Sequence, residues 1–206
     1  MRRGLAIACL LAAGVASAQT PNERLLEAIQ GGREPVAAIL VLGGKVDVHY
    51  RYAARETALH LAAEQDMRAL ARHLLDAGAS VRARTATGET ALHHAALNED
   101  PALAALLLDA GADARALNDH GESALHWAAY AGHDAVVRLL LERGADADAV
   151  NLDGNLALHG AAAGGHEATV RLLLPRTGAP RLKNLQDRTP ADLARERGHD
   201  GVAALF

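Results

Sequence analysis

The chain has 206 residues, half of them hydrophobic and 22% charged, with a formal net charge of −4; this favours one folded domain over disorder. Its 21 basic and 25 acidic side chains include no run of five like charges, which argues against a polybasic arm, an acidic tail and non-specific nucleic-acid binding. Only five residues are aromatic (one Trp, one Phe, three Tyr), so the core must be built from Ala, Leu and Val in closely packed helices.

The first element is a leader. Met1-Arg2-Arg3 is a short positive region, residues 5–16 (LAIACLLAAGVA) are apolar, and Ala16-Ser17-Ala18 places small residues ahead of Gln19, the pattern of a secretory signal peptide over 1–18. About twelve apolar residues fall short of the roughly 20 needed to span a bilayer. A lipoprotein form using Cys9 is disfavoured, since only four or five apolar residues precede that cysteine. Cleavage after Ala18 removes Arg2, Arg3 and the sole cysteine, leaving 19 basic against 25 acidic side chains, a charge of −6. A mature chain without thiols suits an oxidising compartment and has no disulfide, thiolate metal site or cysteine nucleophile. A periplasm is the simplest destination.

From Thr20 onward the chain repeats itself. Thr20-Pro21-Asn22-Glu23 reads as a helix start with Thr as N-cap, Pro at N1 and Glu at N3. ETALHLAA (56–63), ETALHHAA (89–96), ESALHWAA (122–129), NLALHGAA (155–162) and RTPADLAR (188–195) then follow, placing His60, His93, His126, His159 and finally Asp192 at intervals of 33. A second helical run follows each block, as in ALAALLLDAGA (102–112), and a Gly-Ala pair ends it at 78–79, 111–112, 144–145 and, one residue late, 178–179.

These residues resemble the ankyrin repeat family, whose unit is a β-turn finger followed by two antiparallel helices with a T-P-L-H-x-A motif. The resemblance covers essentially all of 20–206. It implies an all-α solenoid occupying 19–206, with full repeats at 51–83, 84–116, 117–149 and 150–183 between cap repeats at 20–50 and 184–206.

Within each unit, Thr57, Thr90, Ser123 and Thr189 are placed to cap the first helix by accepting a backbone N–H, and the histidine at N3 can reach back toward the cap. Gly132, Gly165 and Gly198 suit the turn between helices. Departures mark weaker joints. Leu156 has no hydroxyl, an expected loss of about 0.5–2 kcal/mol. Asp66 and Glu99 replace the turn glycine, with Asp100-Pro101 as an alternative cap. Arg55 replaces the finger glycine found at 88, 121 and 154, and the finger over 50–55 reads as one residue longer than its successors.

The repeated histidines read as structural. Packed helices lie about 8–10 Å apart, too far for successive histidines to share an ion that needs nitrogens at about 2.0–2.1 Å. His133, His166 and His199 follow the turn glycine and read likewise; His94 and His120 fall outside the consensus and read as surface groups. No G-x-S-x-G, H-E-x-x-H or phosphate loop is present, so neither catalysis nor a cofactor or metal is expected.

What remains is a binding surface. The resemblance implies a concave face of finger tips and first helices, built here from Ala86, Thr87, Glu89 and Leu97, then Asp119, His120, Glu122, Trp127 and Tyr130, then Asp153 and Asn155. Trp127 and Tyr130, three apart, share a helical face and serve either as interface anchors or as packing. Glu56, Glu89 and Glu122 recur at 33 and form either a solvated stripe or a counterpart to a basic partner. The expected function is a monomeric periplasmic scaffold that binds a protein, without nucleic-acid or membrane contact after cleavage. Among exported bacterial ankyrin proteins some are associated with protecting catalase-type enzymes from oxidative stress. A secreted factor acting on another cell and a histidine-assisted metal or haem carrier are the alternatives.

Overall fold

The computed structural model describes residues 19–206; the leader expected over 1–18 lies outside them. Twelve α-helices pair into successive helix-turn-helix units: α1 (Pro21–Gln30) with α2 (Glu34–Leu42), α3 (Ala58–Glu64) with α4 (Arg68–Asp76), α5 (Ala91–Ala95) with α6 (Ala102–Asp109), α7 (Ala124–Ala131) with α8 (Asp134–Glu142), α9 (Ala157–Ala163) with α10 (Glu167–Leu173), and α11 (Pro190–Glu196) with α12 (Asp200–Ala203). No strand occurs among the described residues; a single bridge joins Leu117 and Ser123. The result is the all-α solenoid expected from the sequence.

Small residues set the spacing. Ala62-Ala63, Ala95-Ala96, Ala128-Ala129 and Ala161-Ala162 are each fully buried, so neighbouring first helices meet through methyl groups. The second helices bring larger side chains at i, i+4: Leu70 and Leu74, Leu103 and Leu107, Val136 and Leu140 are wholly inaccessible, each removing roughly 1.5–3 kcal/mol worth of apolar surface from water. Thr169 takes that place in α10 and is equally buried, its hydroxyl donating to Asp134 Oδ1 at 2.5 Å.

The two end units cap their first helices as the sequence predicts. Glu23 N–H donates to Thr20 Oγ1 (3.2 Å) while Thr20 N–H donates to the Glu23 carboxylate (2.7 Å), and Thr189 and Asp192 repeat the exchange at 3.2 and 3.0 Å. The inner units put histidine in that place. The amides of Thr57, Thr90 and Ser123 donate to Nδ1 of His60, His93 and His126 at 3.1–3.2 Å, and their hydroxyls sit 2.8–2.9 Å from the same nitrogen. The reciprocal box between cap residue and N3 histidine is therefore formed as expected, and the hydroxyl serves the imidazole as well. A ring nitrogen that accepts an amide proton is unprotonated, which puts the proton on Nε2. Nε2 donates across to the next finger: His60 to Ala83 O and Glu89 O (3.1 and 3.2 Å), His93 to Glu122 O (3.0 Å), His126 to Asn155 O (3.1 Å), His159 to Arg188 O (3.3 Å).

Leu156 keeps the amide half of this arrangement, its N–H reaching His159 Nδ1 at 3.0 Å, and buries its side chain to 1% exposure. Burial offsets the missing hydroxyl.

The fingers stack on these histidines. In each, an amide closes a five-residue loop onto a carbonyl four residues later, from Tyr52 to Glu56 through Asn184 to Arg188. The first finger has the same length and register as the rest, so the expected extra residue is not there; what differs is that Ala54 and Arg55 occupy positive φ (54° and 59°) where the next three fingers have a single such glycine. One backbone bond links each finger to the next: Ala86 N–H to Ala54 O, Asp119 to Thr87, Leu152 to His120 and Leu185 to Asp153, at 2.6–3.0 Å.

The helix-helix turns confirm the expected irregularity near the start. Gly132, Gly165 and Gly198 adopt φ of 74–78°, but Asp66 must take φ 52° as a non-glycine residue. Without a turn glycine, α5 stops after five residues, and Asp100 Oδ1 accepts from Ala102 N–H (2.8 Å) to start α6.

Two expectations follow from the histidine bridges. Burial lowers the pKa of His60 and His93 from 6.5 to about 4, and lowers His126 and His159 in the same direction. The unfolded chain then binds more protons than the folded one between about pH 4 and 6.5, so stability is fully present above about pH 6.5 and falls as pH drops through that window. Urea midpoints measured from pH 7.5 to 4 should decline steadily, and His93→Gln should flatten the decline. His93→Ala, which leaves the Thr90 amide and the Glu122 carbonyl without their partner, should cost about 2–4 kcal/mol in urea unfolding at pH 7.5.

Candidate functional site

The first helices carry two positions, toward the face that bears the fingers, that vary from repeat to repeat. The first holds Leu61, His94, Trp127, Gly160 and Leu193, and the second, three residues on, holds Glu64, Leu97, Tyr130, Ala163 and Glu196. Large residues in α7 and α11 thus flank Gly160 and Ala163 in α9, and the missing volume is a groove of about 610 Å³, within the usual range for a binding pocket. Trp127, Tyr130 and Leu97 line one side, Leu193 and Arg197 the other, and finger residues including Asp153 close one end.

Trp127 is held in place rather than free. Its indole N–H donates to Glu122 Oε2 at 2.9 Å, and its ring meets His93 and His94 edge to face with centroids 5.5 and 5.8 Å apart. Packing and lining are both its work. Tyr130 by contrast is 67% exposed, and the backbone that carries it is tied to the next repeat: His166 Nε2 lies 3.0 Å from Tyr130 O, as His133 Nε2 does from Leu97 O. His133 and His166, after their turn glycines, are therefore structural, as expected.

Six of the sequence-predicted residues converge on the groove: Leu97, Glu122, Trp127, Tyr130, Asp153 and Asn155. The other five lie outside it. Asp119 and His120 are exposed on the neighbouring finger, and Ala86 and Thr87 on the one before, where their backbones take part in the finger-to-finger bonds. Glu89 turns inward, accepting from Thr85 Oγ1 (3.4 Å) with its Oε2 3.6 Å from His94 Nε2.

The glutamate stripe is consequently less open than its spacing suggests. Glu122 Oε2 accepts from both Trp127 and Asn118, the latter at 3.1 Å, and burial, with Glu64 and Glu89 nearby, raises the pKa of Glu56. His94 is also not the surface group expected. Its side chain is only 12% exposed, edge to face with His60 and Trp127, and burial depresses its pKa despite Glu89 and Glu64.

No group of three or more His, Cys, Asp or Glu among the described residues could hold a metal ion, and both nitrogens of His60, His93 and His126 are engaged with the cap and the next finger. What the groove offers is shape, two aromatic rings and unpaired polar groups. The sequence reading missed its floor and far wall, Gly160, Ala163, Leu193 and Arg197. Their signal was present in the two variable columns, where a small residue between large ones marks a hollow.

The family comparison agrees with this architecture. The model described as ankyrin repeats (3 copies) matches residues 25–118 and 59–151, and the single ankyrin repeat model matches 153–188. The chain belongs to the ankyrin repeat family. Ankyrin repeats mediate protein–protein interaction and are generally not catalytic, so the chain is an interaction scaffold. No curated protein matches the chain.

Two glycines beside the groove should respond oppositely to alanine. Gly132 has φ 75° and a Cβ there would meet the His166 ring at 2.4 Å, whereas a Cβ on Gly160 would find nothing closer than Tyr130 at 3.5 Å and would strengthen a helix interior. Gly132→Ala should lower stability by more than about 1 kcal/mol, and Gly160→Ala should raise it by about 0.5–1 kcal/mol, both read from urea unfolding.

Proposed function

We propose that this ankyrin protein is exported and binds a partner protein through its concave face, centred on the groove between α7 and α11, without performing chemistry. The supporting observation is the groove itself: exposed Tyr130 and Leu97 beside a hollow, on the face that an ankyrin solenoid turns toward its partners. Export rests on the sequence pattern of residues 1–18, and a periplasmic partner is the simplest reading of a thiol-free mature chain. Protection of a catalase-type client is the narrower form, supported by resemblance alone.

A triple variant tests the site without disturbing the frame. Leu97→Ala, Tyr130→Ala and Asp153→Ala alter exposed side chains that make no hydrogen bond among the described residues, so stability should change little. Affinity capture from a periplasmic extract of the source cells, with the chain beginning at Gln19, should retain a discrete protein that the triple variant retains at less than about a tenth of that level, a difference of about 1.4 kcal/mol or more. A control with Asp76→Ala and Glu142→Ala on the second helices should retain it fully. Equal retention by all three proteins would place the binding surface elsewhere, and recovery of the partner only from culture medium would favour a secreted factor.

A further inference from the structure

The groove differs from the rest of the concave face in having a defined chemical polarity. Its floor is Gly160 and Ala163 and its walls are the rings of Trp127 and Tyr130 and the Leu193 side chain, so the middle is apolar and aromatic. At the finger end stands Asp153. Its carboxylate makes no hydrogen bond or ion pair among the described residues, although its backbone is fixed by Asn151 and by Leu185. At the opposite end, beyond the C-terminus of α11, stands Arg197, an exposed guanidinium that pairs with none of the described carboxylates, while the nearby Arg188 and Arg195 are matched to Glu196 and Asp192. An unpaired acid, an aromatic hollow and an unpaired base therefore follow one another along a single groove.

We propose that this groove receives a segment of the partner protein in which one aromatic side chain lies between a basic and an acidic residue, the aromatic ring entering over Gly160, the basic group meeting Asp153 and the acidic group meeting Arg197. The inference rests on the concave-face reading above and specifies its partner. Aromatic rings meet Trp and Tyr favourably edge to face, and complementary charges at the two ends fix the direction of the segment more than they add affinity. The absent side chain at Gly160 is what admits the ring. In α5 and α7 the same position is filled by His94 and Trp127, so no equivalent hollow precedes it.

The probe is an acetylated, amidated pentapeptide, Lys-Gly-Phe-Gly-Glu, titrated into the chain from Gln19 onward. Trp127 is the only tryptophan, so its fluorescence reports on this wall alone, and amide NMR shifts at Gly160 and Ala163 give the location. Saturable changes in both are expected with a millimolar or tighter Kd. Replacing the peptide's Phe by Ala should weaken binding at least about tenfold, and reversing either end charge should weaken it a few-fold, less so in high salt. Gly160→Leu in the protein should abolish binding while leaving the melting temperature equal or higher, because a Cβ there has room and the helix gains from losing a glycine. No change at millimolar peptide, shifts confined to another surface, or undiminished binding by Gly160→Leu would each overturn the inference. In the capture experiment, loss of the partner by the triple variant but not by Gly160→Leu overturns the pocket and leaves the concave face standing; retention by both overturns the two together.

Discussion

The structure depends on one neutral imidazole per inner repeat. Each histidine accepts the amide of its own helix cap on Nδ1 and donates from Nε2 to a carbonyl of the following finger. Without this crosslink a finger would be a five-residue loop held by its own local hydrogen bonds and by its contacts with the neighbouring fingers. With it, finger and helix become one rigid unit, and the position of every finger tip is referred back to the helix of the preceding repeat. The bridge works only when the ring is uncharged, since a protonated Nδ1 cannot accept. Burial enforces that state by pushing the pKa down, and this links the integrity of the binding face to pH.

The binding face inherits this rigidity. Trp127 is fixed from two sides, by Glu122 and by the rings of His93 and His94, and Glu122 is in turn oriented by Asn118 at the base of its finger. Such a wall loses little conformational freedom when a partner arrives, which favours affinity from modest contact area. The polar residues that define the wall are thereby used up: Glu122 and Glu89 serve the scaffold, and the charges left for a partner are Asp153 and Arg197. Counting carboxylates along the finger stripe overstates the negative charge that a partner would meet.

Irregularity is concentrated at the other end of the solenoid. Ala54, Arg55 and Asp66 all hold positive φ without being glycine, and α5 ends after one and a half turns. Each such residue stores about 1–3 kcal/mol of strain. Beside the groove Gly132, Gly154 and Gly165 make their turns without strain, although Asp187 in the last finger also holds a positive φ of 62°.

The sequence by itself determined the repeat, its period, the pairing of helices and the turn positions, because these are local: a cap, a turn glycine and an i, i+4 apolar pair can be recognised within a dozen residues. It also identified Trp127 and Tyr130 as neighbours, since helical spacing fixes that. Only the tertiary structure decided that each cap histidine bridges to the following finger, that His94 and Glu89 are turned inward, and that Leu156 is buried at its cap. The bridges and the placement of His94 depend on atoms from adjacent repeats about 30 residues away, which a single unit does not contain. The groove belongs to the same class. It exists because Gly160 and Ala163 leave unfilled the space that α7 and α11 enclose, and an unfilled space becomes visible only when the helices on both sides of it are in place.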